Sequence, residues 1–177
     1  AVITEPLHWH MIGSLQTNKL KYVIGKTVMI HSVDTLHLAE AIEEARRDMD
    51  RDVIDIFLLH EVRTGRFAEK QGAWECLHDA KAKGRVKSIG ISTHHVDVAM
   101  EMSKVEDCEV VFPLINYAGL GIRKGNGIGT AEEMMASIRA CHEAGKGIYA
   151  MKAFGGGVLT DNYQEALKYV LDKPEIH

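Results

Sequence analysis

The sequence predicts a parallel α/β fold of (β/α)-barrel type, TIM-barrel-like, left incomplete at six to seven strands. Three observations carry this expectation. Short runs rich in Val, Ile, Leu and Met alternate with longer runs of helical periodicity. Most of the short runs are apolar on both faces, as strands covered on both sides should be. Polar residues recur where these strands end: His31-Ser32, His60-Glu61, Ser92-Thr93-His94, Asn116-Tyr117 and Lys152. Strand–helix alternation implies parallel pairing with right-handed crossovers, and polar strand ends repeated along the chain suit a barrel, whose functional face is the C-terminal one.

The expected strands are residues 8–13, 28–32, 53–60, 86–92, 110–117 and 147–154, with a seventh beginning at Glu175-Ile176-His177. The first helix, 36–48, places Leu36, Ala39, Ile42 and Ala45 near one face. Ser32 or Asp34 suits its start. The second, 67–83, aligns Ala73, Leu77 and Ala80 and ends at Gly84, a C-cap residue. Two more helices span 130–143 and 162–171. Thr130 with Glu133 has capping-box spacing. Met100, Met102, Met134 and Met135 read as core filling. The glycine-rich stretch 119–130 reads as a mobile βα loop. The competing reading is a phosphate cradle helped by Arg123 and Lys124.

Composition narrows the function. The 177 residues suffice for one domain with a sizeable core, and 46% hydrophobic with 26% charged residues is ordinary for a globular chain. A net charge of −4 gives no basic footprint for nucleic acid. No apolar run is long enough to cross a bilayer. The first residues lack a basic segment followed by a long apolar one, so a cytoplasmic setting is expected. Cys76, Cys108 and Cys141 are far apart and odd in number, which argues against a disulfide framework. His8 and His10 face one side of a strand, but no third ligand has diagnostic spacing, so no metal is expected.

Two resemblances divide the chain. Trp9, His10, Ile12, Gly13, Leu15, Gln16, Asn18 and Lys19, followed by Ile30-His31-Ser32-Val33-Asp34, resemble the pyridoxal-phosphate homeostasis family, which is similar to the alanine racemase barrel. This covers about residues 7–45. The resemblance implies pyridoxal phosphate held by a lysine on the first barrel strand. That lysine lies outside the matching segment, and Lys19, Lys21 and Lys26 do not replace it.

From about residue 41 onward the chain resembles the aldo-keto reductases. The carriers are Asp52-Val53-Ile54-Asp55-Ile56-Phe57-Leu58-Leu59-His60, Gly84-Arg85-Val86-Lys87-Ser88-Ile89-Gly90-Ile91-Ser92, Asn116-Tyr117 and Met151-Lys152-Ala153-Phe154-Gly155-Gly156-Gly157. The joint of the two resemblances falls in the first helix, so a single α/β domain of chimeric origin is expected, 1–45 and 46–177.

The second resemblance implies NAD(P)H-dependent reduction of a small carbonyl substrate. His60 matches the catalytic histidine that positions the carbonyl oxygen. Ser92 and Asn116 match residues near the nicotinamide amide, with Thr93 in the place of a common asparagine. Gly155, Gly156 and Gly157 match the turn that approaches the pyrophosphate. The family's aspartate, tyrosine and lysine precede the histidine, in the region taken by the first resemblance; Tyr22 is not their equivalent. The adenosine 2′-phosphate site follows the last barrel strand. Weak or lost NADP binding and little or no turnover are therefore implied, since loss of a general acid alone costs on the order of 10²–10⁴ in rate. His94 and His95 read as solvated loop residues, and Lys152 as an ordinary family residue despite a strand-end position suited to imine chemistry. An incomplete barrel has open strand edges, through which copies of the chain are expected to pair.

Overall fold

In the computed structural model, residues 9–11, 27–30 and 38–177 are described. Six parallel strands form one sheet: β1 (Trp9–Met11), β2 (Thr27–Ile30), β3 (Ile54–Leu59), β4 (Val86–Thr93), β5 (Val110–Pro113) and β8 (Gly147–Ile148). Their spatial order is β1-β2-β3-β4-β5-β8, without reversal. Right-handed crossovers in a sheet that never reverses put every helix on the same face, which is barrel winding rather than double winding. Among the described residues β1 and β8 are the two margins of an open sheet. The pairing of β5 with β8 extends to a further bridge, Leu114 with Met151.

Helices α1 (Leu38–Asp48), α2 (Gln71–Ala82), α3 (Val96–Met102), α4 (Ala131–Glu143) and α5 (Tyr163–Leu171) connect or follow the strands. Their ends follow from local chemistry. Gly84 (φ 68°) and Gly145 (φ 77°) take the left-handed position after α2 and α4. There the amides of Arg85 and Lys146 reach back to the carbonyls of Ala80 and Cys141. Asp50 does the same after α1 at φ 51°, with Arg51 N–H donating to Arg46 O. Thr130 and Glu133 form the expected reciprocal box at the start of α4. Ser32 and Asp34, the expected caps of the first helix, lie outside the described residues, as do His31, His8 and the signature residues 12–19.

The core lies between sheet and helices. Phe57, Leu58, Leu59, Ile89 and Ile91 are fully buried, each side chain contributing roughly 1.5–3 kcal/mol by its removal from water. Ile42, Trp74, Leu77, Met102, Met134, Met135 and Ile138 cover them, so Met102, Met134 and Met135 are core residues.

Three elements depart from the sequence reading. The seventh strand expected from Glu175 onward is not formed among the described residues, although His177 N–H donates to Ile148 O at 2.7 Å. Helix α3 was not expected, because seven residues containing two valines show weak helical preference. Burial of Val96, Val98, Ala99 and Met102 imposes it. The 119–130 stretch is an ordered hairpin rather than a mobile loop. Its strands β6 (Arg123–Lys124) and β7 (Gly127–Ile128) are antiparallel. Arg123 N–H donates to His94 O at 2.9 Å, and Gly125 N–H donates to Asp97 Oδ1 at 3.0 Å. These bonds fix it to the end of β4.

Candidate functional site

The register of β3 and β4 brings the first two predicted site residues together. Phe57 lies opposite Ile89, Leu58 opposite Gly90 and Leu59 opposite Ile91. Continuing by one residue sets His60 beside Ser92, on the face shared by Leu58 and Gly90. His60 Nδ1 is 3.1 Å from Ser92 Oγ. Ser92 Oγ also accepts the Glu61 N–H at 2.9 Å. The Ser92 hydroxyl can still donate to Nδ1 or accept from it, according to the tautomer of the ring. Ser92 is fully buried and His60 half-buried, so the serine acts on the rim through the histidine.

The loop after β3 is clamped to the end of β4. Val62 N–H donates to Ser92 O at 2.8 Å, and Thr93 Oγ1–H donates to Val62 O at 2.7 Å. Thr93 is therefore a buried structural group. Glu61 is bent into the left-handed region at φ 48°. Partial burial pushes its carboxyl upward, but the Arg63 guanidinium at 2.8 Å and the nearby His94 and His60 outweigh it, and the net shift is downward.

His94 and His95 are not freely solvated. His95 Nδ1 is 2.9 Å from Thr64 Oγ1. His94 is half-buried and belongs to the rim with His60, Glu61 and Lys152. Desolvation first, and the Lys152 charge second, depress its pKa to about 4. Sequence reasoning missed Glu61, His94 and Lys152 as one group. Glu61 and His94 lie two and one residues past the ends of β3 and β4, and Lys152 follows the last bridge to the β5 line, at Met151.

Asn116, fully buried after β5, organises the opposite side of the rim. Its Oδ1 accepts the Leu120 N–H at 2.9 Å, while Nδ2 donates to Leu120 O at 3.0 Å and to Lys152 O at 3.4 Å. Both amide hydrogens are thus committed, leaving Oδ1 to receive any further donor. Lys152 has φ 58°. Beyond it, Gly155, Gly156 and Gly157 take φ of 59°, 74° and 104°, a succession only glycine adopts without strain. Gly155 packs against Leu120 and Leu159, whereas a Cβ on Gly156 or Gly157 would meet nothing within 4 Å. The outer side of this turn is open to a ligand. Gly155 N–H and Gly157 N–H close the turn internally on Lys152 O and Phe154 O.

The tyrosines of the described residues are engaged elsewhere. Tyr149 stacks on Phe112 at 4.1 Å, Tyr117 meets Tyr169 edge-on, and Tyr163 is exposed on α5. Tyr22 lies outside the described residues. A cavity of about 460 Å³ lies beside residues 117–123 and the start of α4, lined by none of the rim residues His60, Ser92 and Lys152. Among the described residues no three His, Cys, Asp or Glu side chains are grouped to hold a metal ion. No described helix is long and apolar enough to cross a membrane.

Comparison with known proteins gives two kinds of likeness. Over short spans the chain is similar to pyridoxal phosphate homeostasis proteins. It is 44% identical over 66 residues to that of Aquifex aeolicus, covering 37% of this chain and 28% of the relative. It is 52% identical over 40 residues to that of Helicobacter pylori strain 26695, covering 22% and 18%. Among solved structures, a Pseudomonas aeruginosa protein assigned as an aldo-keto reductase aligns with a TM-score of 0.64 at 18% identity, covering 85% of this chain and 58% of that one. A Bombyx mori aldo-keto reductase in complex with NADP aligns at 0.54 and 16%, covering 82% and 54%. The chain thus spans little more than half of these structures and under a third of the curated relatives. The identities to solved structures establish the barrel-type fold alone. The sequence model of the aldo/keto reductase family matches residues 16–175, starting upstream of the 45/46 boundary between the two resemblances. A match over nearly the whole chain settles its membership: the chain belongs to the aldo/keto reductase family.

Proposed function

We propose that this chain is a reductase-like protein that binds a nicotinamide cofactor weakly and turns over carbonyl substrates little or not at all. The observation that carries the reading is the His60–Ser92 pair at the C-terminal ends of adjacent strands, in a chain of this family. His60 is the proposed catalytic residue. With the Ser92 hydroxyl donating to Nδ1, the ring proton would sit on Nε2, and that N–H would orient a carbonyl oxygen. Asn116 holds the backbones of Leu120 and Lys152 around the same rim and keeps Oδ1 as an acceptor. The open side of Gly156 and Gly157 leaves room for a pyrophosphate group. A reduced nicotinamide, when bound, supplies the hydride. No tyrosine of the described residues is placed to deliver the proton, which is why turnover is expected to be low.

Titration with NADPH, followed by its fluorescence, tests the reading. A saturable change that Ser92→Ala weakens at least three-fold is expected; no saturable change overturns the proposal. Aldehyde reduction above the rate of His60→Ala would overturn the claim of low turnover. We further propose a cytoplasmic setting, a chimeric origin with segments 1–45 and 46–177, and pairing of copies through open strand edges. Light scattering against concentration tests the pairing, and a monomer at every concentration rules it out.

A second reading, pyridoxal phosphate binding by the first segment, is supported by the 44% identity to the Aquifex aeolicus protein. Borohydride reduction with pyridoxal phosphate, followed by peptide mass mapping, would then label one lysine selectively. Uniform labelling eliminates this alternative.

A further inference from the structure

Thr93 ends β4, one residue past Ser92, and is fully buried. Successive side chains of a strand point to opposite faces, so Thr93 turns away from the face that Ser92 shares with His60. Its contacts are with backbone. The Thr93 hydroxyl donates to Val62 O at 2.7 Å and accepts the His95 N–H at 3.0 Å. Its carbonyl accepts the Leu114 N–H at 3.0 Å. One residue thereby joins the loop after β3, the start of α3 and the segment that leads to Asn116.

The contact with Val62 bears on His60. The chain leaves β3 at His60, bends at Glu61 with φ 48°, and returns to the interior at Val62, which is fully buried. Positive φ is uncommon for a residue with a side chain and persists where neighbours hold it. Bonds from β4 hold this bend. Ser92 Oγ accepts the Glu61 N–H at 2.9 Å, and Ser92 O accepts the Val62 N–H at 2.8 Å. Thr93 adds the bond to the Val62 carbonyl, so Val62 is gripped through both its amide and its carbonyl. Without that hydroxyl the carbonyl would be buried and unpaired, and the loop would have to shift to find another donor. Any such shift moves Glu61 and the His60 ring, which lies 3.1 Å from Ser92 Oγ.

We propose that Thr93 is a positioning residue for His60, acting from the opposite face of the sheet by fixing the Val62 peptide and, with it, the bend that aims the imidazole at Ser92. Thr93 touches no reacting group. The proposal rests on the reductase-like reading for the use made of His60, and its test involves no nicotinamide.

The full chain is compared with Thr93→Val, which keeps the shape and loses the hydroxyl, and with Thr93→Ser, which keeps the hydroxyl. Amide hydrogen exchange, followed by NMR, is expected to quicken in Thr93→Val at least ten-fold more at Glu61 and Val62 than at Ile91 in β4. Carbethoxylation of His60 by diethyl pyrocarbonate, mapped by peptide mass, is expected to quicken at least three-fold relative to His142, an exposed reference in the last turn of α4. Thr93→Ser should return both readouts to within two-fold of the parent. Equal quickening at Glu61, Val62 and Ile91, or a His60 rate that changes less than three-fold against His142, overturns the proposal. Should Thr93→Val fail to fold, the parent decides: the Thr93 hydroxyl hydrogen is expected as a slowly exchanging NMR signal with a cross-peak to the His95 amide, and its absence overturns the proposal. NADPH is absent throughout, so a failure of cofactor binding leaves these results standing, and the reverse also holds.

Discussion

Gly90 stands so close to Val110 that a Cβ built on it would lie 1.8 Å from the Val110 carbonyl oxygen. The two residues are partners in the β4–β5 ladder. No side-chain rotation can relieve such a contact, because both sides of it are backbone. The strand carrying Ser92 and the strand leading to Asn116 therefore approach each other at a distance only glycine permits. Gly90→Ala is predicted to cost about 3 kcal/mol or more, or to prevent folding. Urea unfolding followed by circular dichroism checks this; an alanine variant within 1 kcal/mol of the parent would contradict it.

Asp50 occupies the left-handed position that ends α1, where Gly84 and Gly145 serve the other two helices of this design. Asp50→Gly should raise stability by about 0.5–1 kcal/mol by relieving the positive φ, net of the added freedom of the unfolded chain. A lower urea midpoint in the glycine variant would show that the aspartate side chain contributes more than the strain removes.

The depressed pKa of His94 has a definite sign. Burial and then Lys152 bring it from the ordinary 6.5 to about 4. Between these values the unfolded chain takes up a proton that the folded chain refuses. The stabilisation is complete above pH 6.5 and is lost as pH falls toward 4. Unfolding free energy should thus fall more steeply over this window in the parent than in His94→Gln. An NMR titration of Lys152→Met should move the His94 midpoint upward. Equal slopes in parent and variant would refute the assignment.

Burial raises the Cys141 thiol to about 11 and the Cys108 thiol to about 12. Cys76 is raised too, but it is only partly covered. A thiol reagent at pH 8 should modify Cys76 first, with Cys108 and Cys141 reacting only on unfolding. Peptide mapping of the native reaction reads this directly, and early labelling of Cys141 would be inconsistent with its packing.

The sequence conveyed those parts of the fold that depend on local pattern. Continuous apolar runs marked the six strands of the sheet, and Gly84 and the Thr130–Glu133 pair marked helix ends. Helix α3 was invisible because its valines gain their place by burial rather than by local preference. The hairpin at 123–128 was hidden for a related reason: its anchors, His94 O and Asp97, lie some thirty residues upstream. At the site, the resemblance to the aldo-keto reductases singled out His60, Ser92 and Asn116. It could not reveal that Ser92 reaches the surface through His60, or that Asn116 spends its hydrogens on Leu120 and Lys152, because register and loop closure decide those contacts.

His177 bears on how this open sheet behaves at its far margin. Its N–H donates to Ile148 O at 2.7 Å, and its imidazole Nδ1 lies 3.1 Å from the Ile148 nitrogen, where it can accept that N–H. A ring nitrogen thus imitates a peptide carbonyl and blocks the first free rung of β8. Fibrils that grow by stacking strand on strand need such a rung vacant. A strand stacking laterally on β8 would therefore have to displace this imidazole.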